Sequence, residues 1–427
     1  MTELRRPAVR SAEREDAAGR TSDDAVPVAV EFLLRFASSG HAAGYPTADL
    51  EERVLALADA LGVDEVQVSA TPTIVELSAG SLPTQRSFTL RVRPTRVDLD
   101  RIARLDDLVQ EVLDGRIDPH VALDRLTEIE SRPLHRHPLV QLAAYALAGA
   151  AVTPVLGGGW RDVAAGGVVG LLVGGVALAA RRLARTEPIV APLAALVASF
   201  SAAALAELGL KASPDLVTLA ALVTFLPGMP LTIGIRELAT EHLQSGVANT
   251  ADALVQLLGL VFGVGVGRSV AVSWFGVAPQ VAPDTAFMGT HVLAAVAAGL
   301  AFTVTLRAQW RAAPVMCAAT VLAILSNAAG RAVFSAAAGV FIGALTIGMV
   351  GGIVGSLLRR SPLVFIVPGV LILVPGSAGF DSVLKLLTGQ TVSGIDAGFN
   401  TFVTAMSIAY GLVVSTAILP GRFKPRQ

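Results

Sequence analysis

Few side chains of this 427-residue sequence could carry a charge through an apolar environment. Glu207, Asp215, Glu237, Asp252, His291, Asp381 and Lys385 are the ionisable residues singled out in or beside its long apolar segments. An ionisable group at membrane depth is costly, and for that reason it is a functional candidate. Asp252 has the richest setting: Asn249 precedes it by three residues and Gln256 follows it by four, so the three share a helical face. A carboxylate among amides suits a cation or a proton. It suits equally a helix N-cap, where the dipole favours an anion. Arg236-Glu237 reads as a gate at the inner mouth or as a solvated flank, and the flank is the preferred reading. His291 reads as an interfacial histidine rather than a proton relay. Asp215, Asp381 and Lys385 stand near segment ends, within reach of water.

The second kind of candidate is backbone. Phe225-Leu226-Pro227-Gly228-Met229-Pro230-Leu231 interrupts an apolar run. Each proline removes a donor and clashes with the preceding turn, so the run cannot be one simple helix. Carbonyls freed in this way cannot face lipid; they must be buried in protein or line a wet cavity. Val374-Pro375-Gly376-Ser377 repeats the feature 148 residues later. Eighteen residues after each Pro-Gly comes a Ser-Gly pair, Ser245-Gly246 and Ser393-Gly394. The same displacement carries Asp252 onto Asn400, pairing a carboxylate with an amide by pseudo-symmetry.

Such groups need a scaffold, and composition says which kind. Hydrophobic residues make up 53% of the chain and charged residues 16%, with a mean hydropathy of +0.63. Residues 1–137 hold 17 Arg and 24 Asp+Glu; the remainder holds 16 Lys+Arg and 10 Asp+Glu. An acidic soluble part therefore precedes a membrane part. The fold expected is an α-helical polytopic membrane protein: ten transmembrane helices as two inverted five-helix repeats, preceded by a small soluble α+β domain. The boundaries read as a disordered tail over 1–25, the α+β domain over 26–134, repeats over 138–280 and 286–420, and a cytosolic tail over 421–427. Apolar segments near 138–157, 163–180, 189–210, 216–235 and 251–272 fall, under the 148-residue shift, on those near 287–306, 313–328, 332–358, 363–380 and 399–419. Five crossings per half force opposite orientations, the plan of many secondary transporters. With the N-terminus inside, eleven Lys and Arg fall on inner loops and five on outer ones, in the direction of the positive-inside rule.

In the soluble part, helical periods over 28–38, 47–61, 99–113 and 119–129 flank strands at 66–68, 73–77 and 88–92, with Thr47 as a helix cap. Ser38, Ser39, His41 and Asp49 match no nucleophile arrangement and read as a helix-end turn. His135-Arg136-His137 lacks further ligands at metal spacing and reads as a basic flank. The lone Cys317 excludes an intramolecular disulfide. Glycines four apart, as in Gly166-Gly170-Gly174 and Gly259-Gly263-Gly267, read as helix-packing faces. No signal peptide is read at the N-terminus, which is expected in the cytoplasm.

On these residues the chain resembles the threonine/serine exporter family. The resemblance rests on Phe32-Leu33-Leu34-Arg35-Phe36 with Gly40 through Pro46, and on Leu226 through Leu231 followed by Ile235-Arg236-Glu237 and Ser245-Gly246. It rests also on Val367-Pro368-Gly369 through Ser377. It implies export of small amino acids, threonine and serine first, driven by the proton gradient across the cell membrane, with both termini cytoplasmic. A half-helix N-terminus would then hold the substrate carboxylate, and unwound carbonyls with an acid its ammonium. The site would comprise Thr224, Pro227, Gly228, Pro230, Thr232, Pro375, Gly376 and Ser377, with Thr224, Thr232 and Ser377 reading a hydroxyl. Coupling or gating would fall to Arg236, Glu237, Asn249, Asp252, Gln256, Asp381 and Asn400. Partners are the substrate, protons and the lipid bilayer, with a homo-oligomer left open; no nucleic acid, metal or cofactor is called for. The competing readings are an exporter of small dicarboxylates and a membrane-bound hydrolase or sensor carried by the N-terminal part. No HExxH, GxSxG or paired-Asp motif lies in the spans to support an enzyme.

Overall fold

The computed structural model describes residues 28–71, 73–92, 97–131, 136–180, 187–276, 290–358, 361–373, 375–387 and 389–419. The tails expected over 1–25 and 421–427 lie outside them. The chain divides into two compact units, one comprising residues up to 96 with 101–133, the other residues 97–100 with 134–421.

In the first unit, helix α1 (28–43) is followed by α2 (Thr47–Ala60). Three strands, β1 (Gln67–Thr71), β2 (Ile74–Ala79) and β3 (Arg86–Arg91), form an antiparallel sheet in the order β1-β2-β3. Helices α3 (Leu99–Leu113) and α4 (Pro119–Ser131) complete it. Val75 and Leu77 alternate inward from β2 and join Phe32, Phe36, Leu50, Leu57 and Leu105 in the core. Two expectations are corrected. Thr47 is the first helical residue, with Pro46 at the cap position and no side-chain cap bond. Ser38, Ser39 and His41 lie within α1 rather than in a turn, because the apolar period of that helix continues to Ala43.

The core of this unit holds one ionic group. Arg53 Nε donates to Asp106 Oδ1 at 2.8 Å, and the Tyr45 hydroxyl reaches the same oxygen at 2.6 Å. The Arg53 guanidinium carbon stands 4.7 Å from the Tyr45 ring centre. Burial first, then the Asp106 carboxylate, holds the Tyr45 phenol well above its usual range. Burial alone pulls the Arg53 guanidinium down, but Asp106 and Tyr45 outweigh it and the net shift is upward.

The second unit is helical. It runs α5 (Pro138–Val155), α6 (Trp160–Ala180), α7 (Glu187–Leu205) with a π turn (Ala206–Leu210), α8 (Pro214–Ala221), α9 (Gly228–Ala239) and α10 (Leu243–Phe275). After residues outside the description come α11 (Thr290–Thr305), a 3-10 turn (Trp310–Ala312), α12 (Ala313–Val333), α13 (Ala336–Leu358), α14 (Leu363–Leu373), α15 (Pro375–Leu387) and α16 (Thr391–Ile418). The helix starts at 214 and 243 recur at 363 and 391, within one residue of the displacement read from the sequence. Eight stretches among the described residues are long and apolar enough to cross a bilayer. The ten expected segments include two others: α11, which has 16 described residues, and the α8–α9 stretch, which the Pro-Gly motif breaks. Trp160, Trp274 and Trp310 all stand exposed at or near helix ends, where amphipathic rings favour a membrane–water boundary.

Small residues set the packing. A Cβ on Gly263 would stand 2.1 Å from the Pro192 carbonyl oxygen, so α10 and α7 touch backbone to backbone. Gly166 and Gly170 do the same for α6 against α5. Asp162, 1% exposed, accepts from the Gly159 N–H at 3.0 Å and the Ser213 N–H at 2.7 Å, which ties the start of α6 to the start of α8.

Candidate functional site

The break in the first half is local chemistry. The chain leaves α8 at Leu222, whose carbonyl accepts from Phe225 at 2.8 Å and Leu226 at 3.1 Å. Pro227 has no N–H to continue the ladder and becomes the cap residue of α9. Pro230 is the third residue of α9, where a backbone N–H has no intrahelical acceptor, so its missing donor does no damage. In the second half the described helical residues reach Leu373 and resume at Pro375, whose side chain is outside the description; residue 374 is not described, and Leu363–Leu386 counts as one of the eight apolar stretches.

The two Pro-Gly motifs meet. A Cβ on Gly376 would lie 3.1 Å from the Gly228 nitrogen and 3.1 Å from Leu226 Cβ. The N-terminus of α9, the positive end of a helix dipole, is therefore adjacent to Gly376. Crossed packing supports the contact. Ile235 of α9 clusters with Ala405 and Ala409 of α16, while Phe380 of α15 joins Phe225, Leu226 and Leu257 of the first half.

Hydroxyl groups stand at this meeting point with different commitments. Thr224 Oγ1 is buried without a hydrogen-bond partner. Thr232, also buried, donates to the Gly228 carbonyl at 2.9 Å. Ser377 is half-buried in the first turn of α15.

Beyond the motifs, each second piece turns back into a long helix. Gly246 lies against α9: a Cβ there would meet the Leu238 nitrogen at 2.8 Å and the Gly234 oxygen at 2.9 Å. Gly394 lies against α15: a Cβ there would meet the Leu386 nitrogen at 2.9 Å, and Ser382 Oγ donates to the Gly394 carbonyl at 2.7 Å. Residues 234, 238 and 246 become 382, 386 and 394 under the same displacement. The recurring Ser-Gly pair is thus no turn. It sits in the first turn of α10 and of α16, where only glycine admits the neighbouring backbone.

The coupling candidates separate. Glu237 is not a solvated flank: it is 3% exposed, with Oε2 accepting from Asn249 Nδ2 at 2.6 Å and Oε1 buried without a partner. Arg236 is half-buried beside it. Asp252 is no N-cap, since α10 starts at Leu243; it is exposed and accepts from Gln256 Nε2 at 2.6 Å. Asn249 bonds Glu237 instead, so the expected three-residue face is split. Asn400 is exposed, and no hydrogen bond joins it to Asp252 among the described residues. Asp381 pairs with Lys385 at 2.6 Å, one turn apart on α15. Asp215 pairs with Arg268 at 3.6 Å on the surface, and Glu207 is exposed in the π turn. His135 is outside the described residues; His137 caps α5, accepting from the Leu139 N–H at 3.3 Å. No cluster of three or more metal-ligating side chains occurs among the described residues.

Asp162 is a buried acid that sequence reading passed over. It sits in the first turn of α6, where an acidic residue is ordinary, and its partner Ser213 is 51 residues away.

A family model described as "Putative threonine/serine exporter" matches residues 31–271, more than half the chain, and one described as "Threonine/Serine exporter, ThrE" matches residues 289–418. The chain belongs to the threonine/serine exporter family. Its similarity to a threonine/serine exporter of Corynebacterium glutamicum is 24% identity over 409 residues, covering 90% of this chain and 81% of that protein. A probable threonine/serine exporter of Mycobacterium tuberculosis is 25% identical over 405 residues, covering 90% of this chain and 75% of the relative. An uncharacterized protein of Schizosaccharomyces pombe is 24% identical over 370 residues, 77% of this chain and 43% of that one. No solved structure matches. The two matched regions of this threonine/serine exporter family member each contain one Pro-Gly motif and the glycine crossing that follows it.

Proposed function

We propose that this protein is a secondary active exporter of threonine and serine, coupled to protons, in the cell membrane with both termini cytoplasmic. The observation that carries the reading is the approach of Gly376 to Gly228, which brings the two Pro-Gly motifs together at the N-terminus of α9, inside an apolar bundle. That positive dipole end suits a substrate carboxylate. The Thr224 hydroxyl, buried and unpartnered, supplies a group for the substrate side-chain hydroxyl, and Ser377 follows Gly376. Carbonyls at the end of α8 suit the ammonium. In this reading the eight long stretches, α11 and the broken α8–α9 pair make ten crossings, and the two halves run in opposite directions. The chain works as a carrier and not as an enzyme. The α9 N-terminus also admits a second reading, a small dicarboxylate, because its positive end suits a carboxylate whichever solute carries it.

Efflux from cells overproducing the chain separates the readings. Labelled threonine and serine should leave faster than from control cells, a protonophore should abolish the difference, and succinate efflux should be unchanged. Thr224→Val combined with Ser377→Ala removes two neutral hydrogen bonds worth roughly 1 kcal/mol each and should slow threonine efflux on the order of tenfold. Alanine efflux, which uses no hydroxyl, should change less. Succinate leaving in place of threonine would transfer the site to the dicarboxylate reading.

A further inference from the structure

We propose that Glu237 carries the transported proton, on Oε1, with Asn249 as the residue that positions it. This rests on the exporter reading and names the group that reading leaves open. Glu237 is 3% exposed, yet only one of its carboxyl oxygens is occupied: Oε2 accepts from Asn249 Nδ2 at 2.6 Å, while Oε1 is buried with no partner. Among the described residues no cation pairs with this carboxyl group, and a proton bound at Oε1 would leave the buried group neutral.

The neighbouring charges do not supply a counter-ion. Helix α9 packs against α10, α14, α15 and α16. On α10, Asp252 is exposed and bonded to Gln256, and Arg268 pairs with Asp215. Helix α14 has no titratable residue. On α15, Asp381 and Lys385 pair with each other, and on α16 Asp396 and Tyr410 are exposed. Arg236 precedes Glu237 on its own helix, and Glu241 and His242 follow in the turn. None of these side chains forms an ion pair with Glu237.

A second observation points the same way. The position equivalent to Glu237 in the other half is Lys385, and the position equivalent to Asn249 is Ala397. The acid–amide pair therefore belongs to one half alone. A device present once in a repeated frame can couple one proton to one change of access: Oε1 gains a proton on the outer side, where substrate leaves, and releases it on the inner side, where the next substrate binds.

The test uses the full-length protein in phosphatidylethanolamine–phosphatidylglycerol vesicles enclosing a pH-sensitive dye, with labelled threonine, serine and succinate as probes. In the wild type, a pH gradient should drive accumulation with accompanying proton flux. Glu237→Gln should lower driven accumulation by roughly tenfold or more and make exchange insensitive to pH, whereas Glu237→Asp should keep the pH dependence. Asn249→Ala should shift the pH profile without removing proton flux. Driven accumulation that survives in Glu237→Gln overturns the proposal, as does loss of exchange in both Gln and Asp variants. Glu237-dependent proton flux with succinate alone upholds the proton site and overturns the amino-acid reading. Wild-type vesicles that couple none of the three solutes to protons overturn it.

Discussion

Asp106→Ala should destabilise the first compact unit by about 3–5 kcal/mol, because it strands a buried guanidinium. Arg53 and Asp106 are each 5% exposed, and Arg53 has Asp106 as its carboxylate partner at 2.8 Å. The substitution also leaves the Tyr45 hydroxyl with only the Ile102 carbonyl, at 3.1 Å. Arg53 Nη1 keeps its bond to the Asp49 carbonyl, at 2.8 Å, and the Asp49 carboxylate remains as a weaker opposite charge than Asp106. In a unit of this size each kcal/mol moves the melting point by about 4–8 °C, so the loss should reach tens of degrees. Hydrogen exchange on purified full-length protein, read on peptides from 28–131, isolates the effect from the helical unit. The double substitution Arg53→Met with Asp106→Leu should recover most of the loss, since an apolar pair of similar volume can replace a buried ion pair. A single variant as stable as the wild type would show that Arg53 is not held by this carboxylate.

Gly246→Val and Gly394→Val should damage the protein to nearly the same degree, although they lie 148 residues apart. Each new Cβ meets a backbone nitrogen, that of Leu238 at 2.8 Å or of Leu386 at 2.9 Å. Backbone cannot rotate aside as a side chain can. Overpacking commonly costs about 1–3 kcal/mol, and these two sites belong at the upper end. Gly265→Val is the control, because nothing lies within 4 Å of its added Cβ. Melting points in detergent and efflux at matched expression should fall together for the first two variants and stay near wild type for the third. A large loss in one of the pair without the other would mean that the repeated contact does not do the same job in both halves.

Much of this was legible from pattern. Proline chemistry located the helix break at Pro227, because a missing donor acts locally and needs no knowledge of neighbours. The displacement of 148 residues relates the starts of α10 and α16, at 243 and 391, although both helices begin eight residues before the segments expected from 251 and 399. What failed were assignments that depend on partners. Glu237 follows an arginine in the last turn of a helix, a setting that reads as a flank; its burial comes from helices far along the chain. Asn249 looked like a companion of Asp252 at helical spacing, but its amide turns to Glu237, an acid 12 residues earlier. Ser245-Gly246 was legible as a recurring spacing, but its reason, the close approach of the α9 backbone to Gly246, was not. In the first compact unit, the motif residues Gly40 and Tyr45 were legible as a signature but not as packing. A Cβ on Gly40 would stand 3.0 Å from the Tyr45 ring, so this glycine makes room for the ring that anchors Asp106.

The exposed tryptophans give the chain a built-in optical ruler. Under the proposed topology Trp160 and Trp274 mark the outer boundary and Trp310 the inner one. A water-soluble fluorescence quencher confined to one side of a sealed vesicle should therefore dim either the first two or the third, and variants keeping one tryptophan each would read out which way the two halves face.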